Sequence, residues 1–329
     1  MKRLMFLSVA VALSMLAAAV PPAASTHAAH PTSPDSENEA PRYSPELDQL
    51  RQQLAASGPA GVELARAEYI TNKTGFDAAT SQTLIANNRT HLINSQFVEN
   101  DPRRGGTSYI TYVVDQSDGS ALTILPSNAV ALLPNATTEP IVDQSMARWE
   151  TGPNCNGPAV VKVNDTGGNI DVIDNLVLGG APGSPIADIT HGGWLAPAFF
   201  NAIAPPNGAS FILGVTFTFI FVDQNGPTDI DNNGMADVAF REIYYNRGVP
   251  WATNGSSNNV DIESVATHEA GHAFGLGHFG KVFLTKKGST IDDIKYAPRA
   301  VMNAVYVSPF RELTGTDNAS FCRVWANSH

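Results

Sequence analysis

The chain has 329 residues, of which 16% are charged, and its formal net charge at pH 7 is −11. Asp and Glu outnumber Lys and Arg by 31 to 20, which argues against nucleic acid or an anionic membrane as the main partner. The length suffices for one large domain with a real core plus a smaller one. Nothing in the sequence indicates an oligomeric state.

Residues 1–29 have the pattern of a secretory signal peptide. The basic pair Lys2-Arg3 is followed by an apolar run that ends at Leu16, and several small-residue cleavage positions follow. The alternative is a transmembrane anchor, but the run is short, and two serines interrupt it. No Cys follows the run, so a lipid anchor is not supported either. We therefore expect a secreted or periplasmic protein with no membrane anchor after signal removal.

Residues 30–104 are interpreted as an N-terminal pro- or accessory region that is partly disordered. Residues 30–43 are rich in Pro, Ser and Glu, a composition typical of disordered segments. Residues 45–70 show a helical apolar periodicity around a Gly-Pro break at 58–59. The sequence leaves open whether this region is a removed propeptide, an accessory module or a spacer. The main domain is expected at 105–329.

Apolar patterns predict the elements of the main domain in chain order. Strands are predicted at residues 108–115, 214–222 and 238–245, and helices at 139–150, from Asp261 through the histidine motif described below, and from about Thr316 to the C-terminus. Pro140 suits the first turn of the helix predicted at 139–150. Phe321 and Trp325 have the i, i+4 spacing of core residues on the last helix.

His191 lies in the Gly-rich stretch Thr190-His191-Gly192-Gly193-Trp194, which is interpreted as a loop. A second metal contact or a substrate contact is conceivable there. A solvated loop histidine, or one with its hydrogen bonds satisfied, is the favoured interpretation.

Residues 229–237 resemble the first part of a calcium loop. Asp229, Asp231, Asn233 and Asp237 place oxygen side chains at positions 1, 3, 5 and 9, and Gly234 at position 6 permits a sharp turn. The Glu expected at position 12 is missing, so a shortened, structural calcium loop is the closer analogy. The alternative is an acidic hairpin turn that binds no ion.

The most specific pattern is His268-Glu269-Ala270-Gly271-His272-Ala273-Phe274-Gly275-Leu276-Gly277-His278. The first two histidines are four residues apart and share one helix face, where both can bind one metal. Gly275 tolerates the left-handed conformation that ends a helix, so His278 can become the third ligand. Three protein ligands leave a fourth position open, as in catalytic zinc sites, and Glu269 can accept a proton from zinc-bound water. A chance cluster on a helix is the alternative.

This motif resembles that of the metzincin metallopeptidases. Met302, in Arg-Ala-Val-Met-Asn-Ala-Val-Tyr at 299–306, resembles their Met-turn and would form an apolar floor beneath the zinc imidazoles. Tyr306 resembles the tyrosine that matrixins place in the wall of the S1′ pocket. The resemblance extends to bacterial matrixin-like secreted proteins. It implies an α+β (α/β) catalytic domain with a twisted, mostly parallel sheet, a zinc helix and a C-terminal helix.

Cys155 and Cys322 are the only cysteines. In an exported protein an even pair indicates a disulfide, which would join the segment after the first helix of the main domain to the last helix. The alternative is a free Cys that covers the zinc, as in matrixin proforms, although neither Cys has the Pro-Arg-Cys-Gly context.

The sequence therefore predicts a secreted zinc endopeptidase that cleaves polypeptides, with Glu269 as general base and with structural calcium a further expectation. A non-catalytic zinc- and calcium-binding extracellular protein of the same fold is the first alternative. The second is an inhibitor, toxin or adhesion module dominated by its N-terminal region.

Overall fold

The computed structural model describes residues 45–73, 93–255, 259–287 and 290–325. Contacts between elements group Tyr43–His329 into one unit. The predicted signal peptide and the polar segment at 30–43 lie outside the described residues. None of the described helices combines the length and apolar character that a bilayer crossing requires.

Fourteen strands and six α-helices follow one another along the described residues. The strands are β1 (Val62–Thr71), β2 (Ser95–Gln96), β3 (Ile110–Val114), β4 (Ala121–Ile124), β5 (Val130–Leu133), β6 (Val160–Lys162), β7 (Ile189–Leu195), β8 (Ile212–Asp223), β9 (Gly226–Pro227), β10 (Ala236–Asn246), β11 (Trp251–Ala252), β12 (Val260–Asp261), β13 (Lys281–Lys287) and β14 (Thr290–Ala297). The helices are α1 (Pro45–Ser57), α2 (Asn135–Thr151), α3 (Ile173–Leu178), α4 (Pro197–Ile203), α5 (Ile262–Ala273) and α6 (Gly315–Trp325).

The central sheet has the strand order β1-β8-β10-β7-β3-β6. Strands β10, β7, β3 and β6 pair in parallel, whereas β8 pairs antiparallel with both β1 and β10. The predicted α+β class is confirmed, and the sheet is mixed: five of its six strands run in one direction, and β8 alone runs against them. The connection at residues 224–235 returns the chain from β8 to the neighbouring β10 in the antiparallel direction.

The strands predicted in the main domain are confirmed as β3, β8 and β10, with ends within two residues of those expected. The helix predicted at 139–150 is confirmed as α2, but it begins earlier, at Asn135. Pro140 therefore lies inside this helix rather than in its first turn, which corrects the expected position. Pro140 has no N–H to donate to the carbonyl four residues before it.

The segment at 45–70 is helical only in its first half. Helix α1 ends at Ser57, and after the break at Gly58-Pro59 the chain forms β1, which pairs with β8 along its whole length. The helical expectation for the second half is wrong because the edge of β8 offers hydrogen bonds that a local periodicity does not reveal. Packing thus continues across the boundary that the sequence placed between residues 104 and 105.

Two clusters of buried side chains cover the two faces of the sheet. Ile243 and Tyr245 of β10 belong to one cluster and Tyr244 between them belongs to the other, as strand alternation requires. Helices α2, α5 and α6 contribute to the first cluster, which includes Phe321 and Trp325 as predicted. Helices α1, α3 and α4 contribute to the second. The metal motif therefore lies on the face covered by α2, α5 and α6.

Cys155 and Cys322 form a disulfide, so the predicted bond is confirmed. It joins the segment after α2 to α6. A free cysteine that covers the metal site is therefore not available from this pair.

Candidate metal centre

Helix α5 carries the histidine motif and is buried along its whole length. It begins after Asp261, whose carboxylate caps the first turn by accepting a hydrogen bond from the N–H of Ser264 at 3.0 Å. Burial alone would raise the pKa of Asp261. Hydrogen bonds from Arg311 and Ser264 outweigh burial and lower that pKa below its usual range. The cap therefore stays charged near neutral pH.

Two glycines shape the chain around the motif. Gly275 has a φ of +92°, a left-handed conformation that ends α5 and turns the chain toward His278. Gly271 lies on α5 between the first and second motif histidines, and a Cβ there would collide with the sulfur of Met302. Met302 therefore packs directly against the helix turn that carries these histidines.

The three motif histidines converge on one point. Nε2 of His278 lies 3.2 Å from Nε2 of His268 and 3.2 Å from Nε2 of His272. A tetrahedral zinc ion with Zn–N bonds of about 2.0–2.1 Å separates its nitrogen ligands by about 3.3 Å. The ligand set and its spacing therefore fit a zinc ion.

The opposite ring nitrogens are held by oxygen atoms. Nδ1 of His268 donates to the carbonyl of Val301 and Nδ1 of His272 donates to the carbonyl of Leu276, each at 2.7 Å. Oε2 of Glu68 lies 3.6 Å from Nδ1 of the third histidine. The two carbonyl oxygens turn Nε2 of His268 and His272 toward the common point, the arrangement that orients metal-binding histidines.

Burial and the neighbouring imidazoles keep the first two rings neutral. They lower the pKa of His268 to about 3 and the pKa of His272 well below its usual range. Neutral imidazole is the form that binds metal. Glu68 was not identifiable from the sequence, because it lies on β1 and no local pattern connects it to the motif.

Glu269 is fully buried next to the first histidine. Its Oε2 accepts a hydrogen bond from the hydroxyl of Thr216 at 2.6 Å, and its Oε1 accepts one from the backbone N–H of Ile70 at 3.1 Å. Burial raises the pKa of Glu269 to about 8, although both hydrogen bonds act in the opposite direction. Gly214 on β8 leaves the room that this side chain needs, since a Cβ there would lie 2.9 Å from Cγ of Glu269.

The turn that contains Met302 ties the third histidine to helix α6. The carbonyl of Met302 accepts a hydrogen bond from the N–H of Phe279, the residue after the motif, at 2.8 Å. Asp317 of α6 accepts hydrogen bonds from the N–H groups of Val301 and Met302, at 3.0 and 3.2 Å. The sequence alone indicates no role for Asp317 in the site, since an acidic residue in a first helical turn is ordinary.

Tyr306 lines a cavity of about 350 Å³. Its hydroxyl accepts a hydrogen bond from the N–H of Asp261 at 3.1 Å, and its own N–H donates to the carbonyl of Thr71 at 2.7 Å. Ile70 and Val301 line the same cavity. Tyr306 therefore borders a cavity beside residues that contact Glu269 and the first histidine.

The end of strand β1 lies between β8 and the segment 304–306. On one side it pairs antiparallel with β8. On the other, the N–H of Thr71 donates to the carbonyl of Ala304 at 3.1 Å, and Thr71 forms a parallel bridge with Val305. Because Ile70 donates to Glu269, the backbone of β1 lies against the candidate general base.

The predicted calcium loop brings together three of its four expected ligands. Carboxylate oxygens of Asp229, Asp231 and Asp237 lie within 4.8 Å of one another. Asp237 also pairs with Arg103 at 2.7 Å, so one carboxylate already has a cationic partner. The amide of Asn233 donates to Asp231 at 3.0 Å, so its nitrogen faces that carboxylate. The geometry is compatible with a metal ion and equally with a hydrogen-bonded turn.

His191 lies in strand β7, not in a loop, which corrects the sequence interpretation. Its side chain is fully buried, and Nδ1 lies 2.9 Å from the hydroxyl of Tyr245. Burial lowers the pKa of His191 to about 3, so the ring is neutral. Its other ring nitrogen has no hydrogen-bond partner among the described residues.

Comparisons with known proteins add no family assignment. No family model matches the chain, and no curated protein matches it. Among solved structures, the chain is similar to one described as "GM1 bound form of the ECX AB5 holotoxin", with 12% identity and a TM-score of 0.28. The match covers 71% of this chain and 76% of the other. At this TM-score the likeness carries no argument about fold or function.

Proposed function

We propose that the protein is a zinc-dependent endopeptidase of metzincin type. The observation that carries the proposal is the convergence of three imidazoles, with Nε2 of His278 at 3.2 Å from Nε2 of each of the other two, and a buried carboxylate on the residue after the first histidine. A purely structural zinc site would need a fourth protein ligand and no neighbouring base. The packing of Met302 against α5 and the cavity beside Tyr306 support the same proposal.

The residues of the site have separate roles in metal binding and in proton transfer. His268, His272 and His278 would hold zinc, which supplies a water of lowered pKa, about 7, and polarises the scissile carbonyl. Glu269 accepts the proton of the attacking water and transfers it to the nitrogen of the leaving amine. The hydroxyl of Thr216 holds Oε2 of this carboxylate, which leaves Oε1 for the water and then for the amine.

We further propose that the substrate follows the path that β1 occupies. A peptide there would add a strand to β8 on one side and contact the segment 304–306 on the other, a common mode of peptide recognition. The backbone N–H of Ile70 already donates a hydrogen bond to Oε1 of Glu269, the oxygen atom that a substrate's peptide nitrogen would have to contact. The described form is therefore a latent one, in which β1 must move before a substrate binds.

The test combines zinc content with cleavage of a peptide library, for the wild-type chain and the variant Glu269→Gln. One zinc in both, with cleavage that depends on Glu269, supports the peptidase. Absence of zinc at the motif in a folded chain contradicts the central claim. Because latency can hide activity, the same assay includes Ile70→Pro, which removes the N–H that contacts Glu269.

The alternative function is a non-catalytic, zinc- and calcium-binding protein of the same fold. The observation in its favour is that Glu269 is fully buried beneath β1. One zinc with no cleavage in either the wild type or Ile70→Pro would favour this alternative. Separate expression of residues 30–104 and 105–329 is a poor test of the N-terminal region, because the cut would remove β1 from the sheet.

Export from the cytoplasm is part of the proposal. The disulfide between Cys155 and Cys322 supports it, because such bonds persist in oxidising compartments. Calcium in the loop at 229–237 is proposed as a structural ligand.

A further inference from the structure

A second group of carboxylates lies far from the histidine motif in sequence. Asp115 directly follows β3, Asp118 lies in the next turn, and Asp171 precedes α3. One carboxylate oxygen from each lies within 4.8 Å of the others. Asp115 and Asp171 are buried, with exposed fractions of 3% and 2%.

The negative charge of these three aspartates is largely uncompensated by hydrogen bonds and ion pairs. Oδ1 of Asp115 accepts from the N–H and the hydroxyl of Ser117, at 2.5 and 2.7 Å. Oδ1 of Asp171 and Oδ2 of Asp118 are closed to solvent and have no hydrogen-bond partner. Among the ion pairs of the described ranges, none includes any of these three aspartates.

The surrounding titratable groups add to the negative charge. Asp174 and the fully buried Glu242 are the neighbours that act on the cluster, and both are acidic. Glu242 is already satisfied, because it accepts hydrogen bonds from two backbone N–H groups and from the hydroxyl of Tyr244. Burial, these like charges and a side-chain hydrogen bond with Asp115 raise the pKa of Asp171 to about 11. Burial and the charges of Asp174 and Asp115 raise the pKa of Asp118 to about 6, against the opposing effect of a hydrogen bond with Asp171.

The backbone of β7 is shaped to let these carboxylates approach it. A Cβ on Gly192 would lie 2.8 Å from the unpartnered Oδ1 of Asp171. A Cβ on Gly193 would lie 2.5 Å from the carbonyl oxygen of Asp118, and this glycine has a φ of +87°. The two glycines beside His191 therefore hold the backbone close to the acidic group, a role that the sequence did not assign them.

We propose that Asp115, Asp118 and Asp171 bind a calcium ion. Buried charges persist when they are paired or coordinate a metal, and here no protein cation is paired with them. The ligand atoms are all oxygens, which selects a hard cation over zinc or copper. Calcium is favoured over magnesium because magnesium retains several waters, and a site formed by two nearly inaccessible carboxylates has little room for them.

The ion would have a structural role. It would join the end of β3 to the loop before α3, two segments that otherwise repel each other through these carboxylates. The competing explanation is that protons, not a cation, neutralise the cluster. The two explanations differ in calcium stoichiometry, which can be measured without reference to peptidase activity.

The experiment is equilibrium dialysis of the full-length chain against ⁴⁵Ca²⁺, after calcium removal on a chelating resin. Wild type is compared with Asp171→Asn and Asp118→Asn, which keep side-chain shape and remove one charge. Asp231→Asn in the 229–237 loop is the matched control. Zinc content and far-ultraviolet circular dichroism are recorded for each variant.

The expected result is that Asp171→Asn and Asp118→Asn each bind one calcium ion fewer than wild type, whereas Asp231→Asn keeps this ion. Calcium should also raise the Tm of wild type and Asp231→Asn more than that of the two site variants. The proposal is overturned if wild type binds no calcium, if the site variants keep the wild-type number, or if only Asp231→Asn loses an ion. If Asp171→Asn does not fold, the half-exposed position Asp118 decides the question.

Discussion

The backbone N–H of Ile70 donates a hydrogen bond to the carboxylate of Glu269, which lies 199 residues further along the chain. The strand that carries Ile70 lies between β8 and the segment after the Met-containing turn. The candidate general base and the strand that covers it are therefore parts of one site. This contact determines how the proposed activity must be measured, because in the described form the N–H of Ile70 occupies Oε1 of Glu269.

Replacement of Glu269 by Gln should remove cleavage and keep zinc. The amide has nearly the same shape but cannot accept a proton, and general acid–base catalysis contributes about 10²–10⁴-fold to the rate. We expect kcat/KM to fall by this factor in a background that cleaves peptides, with one zinc per chain by elemental analysis. Loss of zinc together with activity would instead show that Glu269 acts by holding the site together.

Replacement of Ile70 by Pro should increase cleavage of a fluorogenic peptide by about tenfold or more. Proline has no N–H, so the contact with Glu269 is lost and the end of β1 is weakened. Val62→Pro is the matched control, because proline is tolerated at the first residue of a strand. Equal rates in wild type and Ile70→Pro, with zinc bound and cleavage detected, would show that β1 does not block the site.

Gly271→Ala should destabilise the protein by about 1–3 kcal/mol, because its Cβ would collide with the sulfur of Met302. Met302→Ala should also destabilise it, by about 2–5 kcal/mol, through the cavity it leaves. In the double variant the new methyl group occupies part of that cavity. The double variant should therefore be destabilised by less than the sum of the two single-variant destabilisations. Chemical denaturation of the four proteins measures this coupling, and strict additivity would contradict the predicted contact.

Removal of the disulfide with Cys155→Ser and Cys322→Ser should lower the free energy of unfolding by about 2–5 kcal/mol. The bond closes a long loop, with a sequence separation of 167 residues, so it restricts the unfolded chain strongly. Zinc content should not change, because neither cysteine contributes to the metal site. A zinc-deficient but folded variant would contradict this separation of roles.

Arg311→Met should make the protein more sensitive to acid. Burial opposes ionisation of Asp261, and the hydrogen bonds from Arg311 and Ser264 lower its pKa below the unfolded value of 3.8. A group whose pKa is lower in the folded protein than in the unfolded chain stabilises the fold at pH values above the unfolded pKa. This stability is lost as the pH falls through the folded pKa. The acid-unfolding midpoint of Arg311→Met, followed by circular dichroism, should therefore lie at higher pH than that of wild type. An unchanged midpoint would mean that other groups determine acid unfolding.

The sequence was most informative where the controlling interactions are local. The strands β3, β8 and β10, the N-cap at Asp261 and the glycine that ends α5 follow from spacing and residue type, because hydrogen bonds within a few residues decide them. Pro140 shows the limit of such rules, since packing of α2 on the core extends the helix upstream of it.

By itself, the sequence determined the three histidines, the neighbouring glutamate and the cysteine pair as the chemically important groups, because their types and spacing are specific. Only the tertiary structure decided that β1 covers Glu269, that Glu68 faces the third histidine, and that three aspartates from separate segments meet beside β7. These relationships join residues far apart in the chain. They arise from sheet pairing and core packing, which leave no periodic or local signature in the sequence.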